Sequence, residues 1–136
     1  MSHNLVILLL GTNLGDKNLN LEIATTHISK RIGEIVNQSE ILKTEPIGFE
    51  SDQNFLNQTL CVDTKFSPIQ LLNEIKSIEN EMGRTYTKNR AAGVYENRII
   101  DIDILIFNQI NFESDKLLLP HHQIFSRNFV KLLLRF

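Results

Sequence analysis

The chain has 136 residues, a length that suits one domain with one core. Hydrophobic residues make up 42% and charged residues 22%, which excludes disordered, collagen-like and fibrous classes. With 14 Lys and Arg against 16 Asp and Glu the formal charge is -2, which excludes a broad basic footprint for nucleic acid or an anionic membrane.

In chain order, the apolar run from Leu5 to Leu10 comes first. No basic segment precedes it, and it is far shorter than the roughly 20 apolar residues of a membrane span, so it reads as a buried strand. Gly11-Thr12-Asn13-Leu14-Gly15 reads as a tight strand-to-helix turn, because it lacks the Gly-Lys-Ser/Thr ending of a phosphate loop. Asp16 can cap a helix with the inner stripe Leu21, Ala24, Ile28 and Ile32, ending near Gly33. Strands follow from Ile35 to Thr44 and from Phe55 to Thr64, with the long loop 45–54 between them. In the second strand the period of two puts Leu56, Leu60 and Val62 on one face, and it makes Phe55 and Asn57 share a face.

Ser67-Pro68-Ile69-Gln70 supplies an N-cap, a proline at the first helical position and a capping-box glutamine. Phe66 and Leu71 suit a hydrophobic staple, the stripe is Leu71, Ile75, Ile78 and Met82, and Gly83 stands where a left-handed cap is wanted. A fourth strand runs from about Arg98 to Phe107. The order strand, helix, strand, strand, helix, strand predicts an α+β fold: a ferredoxin-like βαββαβ core with an antiparallel sheet and helices on one face. Gln109 to Phe112 adds an edge strand, as part of an edge hairpin, and Phe125, Phe129, Leu132, Leu133 and Phe136 outline a C-terminal helical segment. No linker divides the chain, so residues 1–136 read as a single domain. Cys61 is the one cysteine, which rules out an intrachain disulfide and a cysteine-held zinc and fits a reducing cytoplasm.

The strongest chemical signal is Ile100-Asp101-Ile102-Asp103-Ile104-Leu105-Ile106. Alternation puts the isoleucines on one face and both carboxylates on the other, about 7 Å apart along the strand. Two like charges among so many isoleucines are costly unless a cation neutralises them, and oxygen ligands favour Mg²⁺ accompanied by substrate phosphates. The bland alternative is a solvent-facing strand side with two ordinary aspartates. Arg84, Lys88, Arg90 and Arg98, with Lys116, His121, His122 and Arg127 later, form a positive set whose guanidinium forks match phosphate oxygens; singly, each is more often a solvated loop charge. Adjacent His121 and His122 diverge and lack a third ligand at zinc spacing. Phe55 and Asn57 can stack on and hydrogen-bond a flat heterocycle, although a phenylalanine alone is more often core.

Taken in order, these pieces resemble the 6-hydroxymethyl-7,8-dihydropterin pyrophosphokinase family over nearly the whole chain. The likeness is carried by Leu10 to Asp16, by Lys43-Thr44-Glu45-Pro46-Ile47-Gly48 with Phe55-Leu56-Asn57, by Ile78-Glu79 through Met82-Gly83-Arg84, by Arg98 to Leu105, and by Leu119-Pro120-His121 with Arg127 and Phe129. The resemblance implies an ATP- and Mg²⁺-dependent transfer of pyrophosphate to the pterin's hydroxymethyl oxygen in folate biosynthesis, with ATP as co-substrate and two Mg²⁺ ions. It implies that Asp101 and Asp103 hold the metal, and that Arg90 and Arg98 join them in catalysis by contacting phosphates or the closing loop. Thr44, Pro46, Ile47, Phe55, Asn57 and Phe129 would form the pterin pocket. Glu79, Arg84, Arg98, Ile104, Lys116, Leu117, His121 and Arg127 would line the ATP site. The loops 45–54 and 84–97 would act as lids.

The chain departs from the family pattern in three places. Tyr86 stands where a second arginine is common, and Arg90 to Arg98 replaces an Arg-Trp-Gly-Pro-Arg run, in a chain without tryptophan. Leu118 and His122 stand where threonine and tyrosine are frequent. The chain is also expected to be short at its C-terminus. From the residues, two other classes stay open: a non-catalytic pterin or nucleotide binder, suggested by Tyr86, Leu118 and the short end, and a nucleotidyltransferase, suggested by Gly-Thr-Asn with Asp-Ile-Asp. Small-molecule substrates, a monomer, and no nucleic-acid or membrane partner complete the expectation.

Overall fold

In the computed structural model, residues 3–45, 54–83 and 99–108 are described in full and 112–113 and 118–119 by their backbone. The elements are β1 (Asn4–Thr12), α1 (Lys17–Arg31), β2 (Gly33–Gln38), β3 (Leu42–Thr44), β4 (Phe55–Thr64), α2 (Pro68–Glu81), β5 (Asp101–Phe107), β6 (Phe112–Glu113) and β7 (Leu118–Leu119). Five strands form one antiparallel sheet in the order β2-β4-β1-β5, with β3 beside β4.

Both helices begin where their side chains can satisfy free backbone donors. The Asp16 carboxylate accepts from Leu19 N at 3.1 Å. At α2, Ser67 Oγ accepts from Gln70 N at 3.3 Å while Gln70 Oε1 accepts from Ser67 N at 3.0 Å, a reciprocal capping box. Gly83, at φ +94°, follows α2 in the left-handed region. The apolar stripes Leu21/Ala24/Ile28 and Leu71/Ile75/Ile78 then close over one face of the sheet, against Val6, Leu8, Leu10, Leu60, Val62, Ile102 and Ile104. Arg31 joins the two helices: its Nε donates to Glu74 Oε1 at 2.6 Å, and it also reaches Ser77 Oγ and Glu81. No helix among the described residues is long and apolar enough to cross a membrane.

Four sequence expectations are corrected. The strand expected over 35–44 is broken: the chain advances from 38 to 42 while β4 advances only from 60 to 57, so one residue is extra. Ser39 absorbs it as a bulge, with its N donating to Thr59 O at 3.0 Å and its Oγ accepting from Thr59 N at 2.9 Å. As expected, α1 ends beside Gly33, at Arg31 with Ile32 as its cap; Gly33 itself opens β2, and a Cβ there would stand 1.9 Å from Asp63 O, so only glycine fits against β4. A register shift between Ile7 and Leu8 turns Ile106 out of the main core, and Phe107 takes the core position instead. The first strand runs on through Thr12, past the glycine expected to end it. Finally, the described edge strand is Phe112–Glu113, which pairs with Leu118–Leu119 in a separate two-stranded sheet. The expected C-terminal helical segment lies outside the described residues.

Candidate active site

Three central strands build the site. Gly11 on β1 pairs with Asn57 on β4 and with Asp101 on β5, so the three form one row across the sheet. Thr59, Leu9 and Asp103 form the next parallel row. Residues directly opposite across strands share a face, and Leu10 and Ile102 point into the helix-covered core. Gly11, Asn57, Asp101 and Asp103 therefore face away from the helices. At about 4.8 Å per strand, the Asn57 and Asp101 backbones lie roughly 10 Å apart.

On the β4 side, Asn57 is 5% exposed and its amide is fixed by two acceptors: Nδ2 donates to Thr44 Oγ1 at 2.8 Å and to Leu42 O at 3.2 Å. Phe55, half-buried, pairs with Thr44 across the β3–β4 ladder. A Cβ placed on Gly11 would stand 3.3 Å from Asn57 Oδ1 and 3.7 Å from Phe55 Cδ1, so the ring and the amide carbonyl converge there. Thr44, Phe55 and Asn57 are thus brought together.

On the β5 side, Asp101 and Asp103 are both half-buried and sit two residues apart on one face. Glu79 is 3% exposed on α2, and its Oε2 accepts from Ile102 N at 2.9 Å, between the two aspartates in sequence. Ile104 packs its side chain in the main core. Among the described residues no group of three or more His, Cys, Asp or Glu could hold an ion. A pair of carboxylates that leaves the other positions to water and phosphate suits Mg²⁺ and does not suit tetrahedral zinc.

Pro46, Ile47, Arg84, Arg90, Arg98, Lys116, Leu117, His121, Arg127 and Phe129 lie outside the described residues, as do almost all of both expected lids. Sequence reasoning missed the support beneath the β1–α1 turn. Thr12 and Asn13 are fully buried, and Asn20 Nδ2 donates to Thr12 Oγ1 at 3.1 Å and to Leu14 O at 2.7 Å. Lys17 Nζ donates to Asn54 O at 3.1 Å, tying the start of α1 to the residue before β4. Polar residues that fall outside an apolar period give no signal of such pairing. The missed role of Gly11 did have a signal, a glycine where the apolar strand continues. At the opposite end of the sheet a cleft of about 330 Å³ is lined by His3, Arg31, Glu34, Asp63, Lys65 and Phe66, with charges of both signs.

The sheet thus sets an aromatic and a fixed amide one glycine away from a pair of carboxylates. The family model for 7,8-dihydro-6-hydroxymethylpterin-pyrophosphokinase (HPPK) matches residues 7–135, and the chain belongs to that family. It is 40% identical, over 94% of its own length and 86% of the other, to the 2-amino-4-hydroxy-6-hydroxymethyldihydropteridine pyrophosphokinase of Porphyromonas gingivalis. To the enzyme of the same name from Bacillus subtilis it is 34% identical, over 94% of this chain and 74% of that one. Among solved structures, a Plasmodium falciparum HPPK-DHPS bound to pteroate matches with a TM-score of 0.69 at 20% identity, covering 97% of this chain and 39% of that one, which shows a shared fold.

Proposed function

We propose that this protein transfers a pyrophosphoryl group from ATP to the hydroxymethyl oxygen of 6-hydroxymethyl-7,8-dihydropterin, giving AMP and the pterin diphosphate in folate biosynthesis. Family membership supports the reaction class. The observation that supports the reading on this chain is the row Asn57, Gly11, Asp101, which puts an amide and a carboxylate on one face of the sheet. The strand order β2-β4-β1-β5 with two interposed helices supports the ferredoxin-like form of the fold.

In this reading the hydroxymethyl oxygen attacks the β-phosphorus of ATP. A new O–P bond forms, the bond from the β-phosphorus to the α,β-bridging oxygen breaks, and AMP leaves with that electron pair while the hydroxyl proton is released. Phe55 stacks on the pterin and Asn57, held by Thr44 and Leu42, presents its carbonyl to an N–H of the ring edge. Pro46, Ile47 and Phe129 complete that pocket. Asp101 and Asp103 would hold two Mg²⁺ ions, which when bound would supply charge neutralisation at the ATP phosphates. Arg90 and Arg98 add to that neutralisation. Arg84, Lys116, Leu117, His121 and Arg127 line the ATP side, while Glu79 and Ile104, expected there from the resemblance, have buried side chains and support β5 from the core side. Most of the rate then comes from positioning and electrostatics. The protein works as a cytoplasmic monomer on these small molecules.

The test is product analysis after incubation with ATP, Mg²⁺ and the pterin. AMP formed in step with the pterin diphosphate is the expected result. Bound pterin without either product makes the chain a binder, and ADP in place of AMP overturns the transfer assigned.

A further inference from the structure

Gly11 is a glycine that its own backbone does not require. The glycines with positive φ among the described residues are Gly15 and Gly83, whereas Gly11 lies inside β1 with partners on both sides. A glycine inside a strand weakens it relative to alanine, through chain entropy and lost packing, and often marks a place where something approaches the backbone closely. The partners of Gly11 are the reader Asn57 and the carboxylate Asp101. A single methyl group there would stand 3.3 Å from Asn57 Oδ1 and 3.7 Å from Phe55 Cδ1. Asn57 has little freedom to yield, because Thr44 Oγ1 and Leu42 O hold its Nδ2.

We propose that Gly11 is a specificity-determining residue of the transfer reaction: its bare α-carbon lets the heterocycle held by Phe55 and Asn57 lie against β1 with its reacting substituent directed toward Asp101 and Asp103. This rests on the pyrophosphokinase reading above. A side chain at position 11 occupies the strip between reader and carboxylates, presses on Asn57 Oδ1 and lies against Phe55, so it acts on the pterin and leaves ATP alone.

The experiment compares the full-length wild type with Gly11→Ala by steady-state kinetics, varying pterin and Mg²⁺-ATP separately, and by thermal melting. The expected result is a KM for the pterin raised tenfold or more with a KM for ATP within twofold. An unchanged pterin KM overturns the proposal, and so does a parallel rise in both KM values with a lower melting temperature, which marks a packing role. Wild type that forms no AMP and no pterin diphosphate overturns the pyrophosphokinase reading itself, and the Gly11 role with it. Should Gly11→Ala not fold, the wild-type Gly11 Hα resonances decide: a ring-current shift on adding the pterin, absent with Mg²⁺-ATP alone, supports the role, and no shift with the pterin bound overturns it.

Discussion

Asn57 and Asp101 flank Gly11 from opposite sides in one row of the sheet, so the fixed amide and the first carboxylate are held at a separation set by two strand spacings. Backbone ladders hold that distance more rigidly than loops would, which is what a reaction governed by positioning needs. Asp101→Ala and Asp103→Ala are each expected to lower kcat by about a thousandfold or more while leaving the circular dichroism spectrum in place. Near-normal turnover in either variant removes the metal role assigned to that carboxylate.

Asn57→Ala removes the reader and strands two acceptors, Leu42 O and Thr44 Oγ1. A loss of about 1–3 kcal/mol in pterin binding is expected, roughly a five- to 150-fold weaker Kd by calorimetry, with ATP affinity unchanged. Equal losses for both ligands mean that Asn57 acts through the fold alone.

Glu79 is buried and accepts from the Ile102 amide. Glu79→Ala leaves that donor unsatisfied and should cost about 1–3 kcal/mol in urea unfolding. Glu79→Gln keeps a carbonyl acceptor and should recover part of the loss. Identical unfolding midpoints for wild type and Glu79→Ala contradict this account.

Gly33→Ala forces a methyl group against the Asp63 carbonyl. Overpacking against backbone cannot relax by a side-chain rotation, so a loss of about 1–3 kcal/mol or more is expected. The check is the melting temperature, and an unchanged value means that β2 shifts freely along β4.

Burial raises the Cys61 thiol above its ordinary pKa, and the nearby Asp63 carboxylate adds to the effect. The folded state therefore holds this proton to higher pH than the unfolded chain does. The stabilisation is complete below the unfolded thiol's pKa and is lost as pH rises through the folded value. Iodoacetamide should label Cys61 more slowly than a free peptide thiol at mildly alkaline pH, with its rate profile displaced upward; a profile matching the peptide's refutes the shift.

Helix boundaries were legible because their signals are local: Asp16 and Ser67 with Gln70 need only their own next turn to act. Orientation of Asp101 and Asp103 was equally legible, since alternation along one strand settles it. The bulge at Ser39 and the flip at Ile106 were hidden, because each arises from a one-residue mismatch with a partner strand far away in sequence. The support under Thr12 and Asn13 was hidden as well, since it depends on a polar Asn20 that no apolar period singles out. The position of Glu79 on the buried side of α2 could have been read from its place beside Ile78 in the stripe, as a charge where a hydrophobe belongs.

Among the described residues β5 is the outermost strand of the main sheet, beyond β1. An outermost strand with free amides invites a strand from another molecule to extend the sheet. At Ile102 that amide is already engaged by the Glu79 carboxylate, which stands in for a neighbouring strand. The same contact that braces the backbone between the two aspartates therefore also leaves one fewer free donor along that strand.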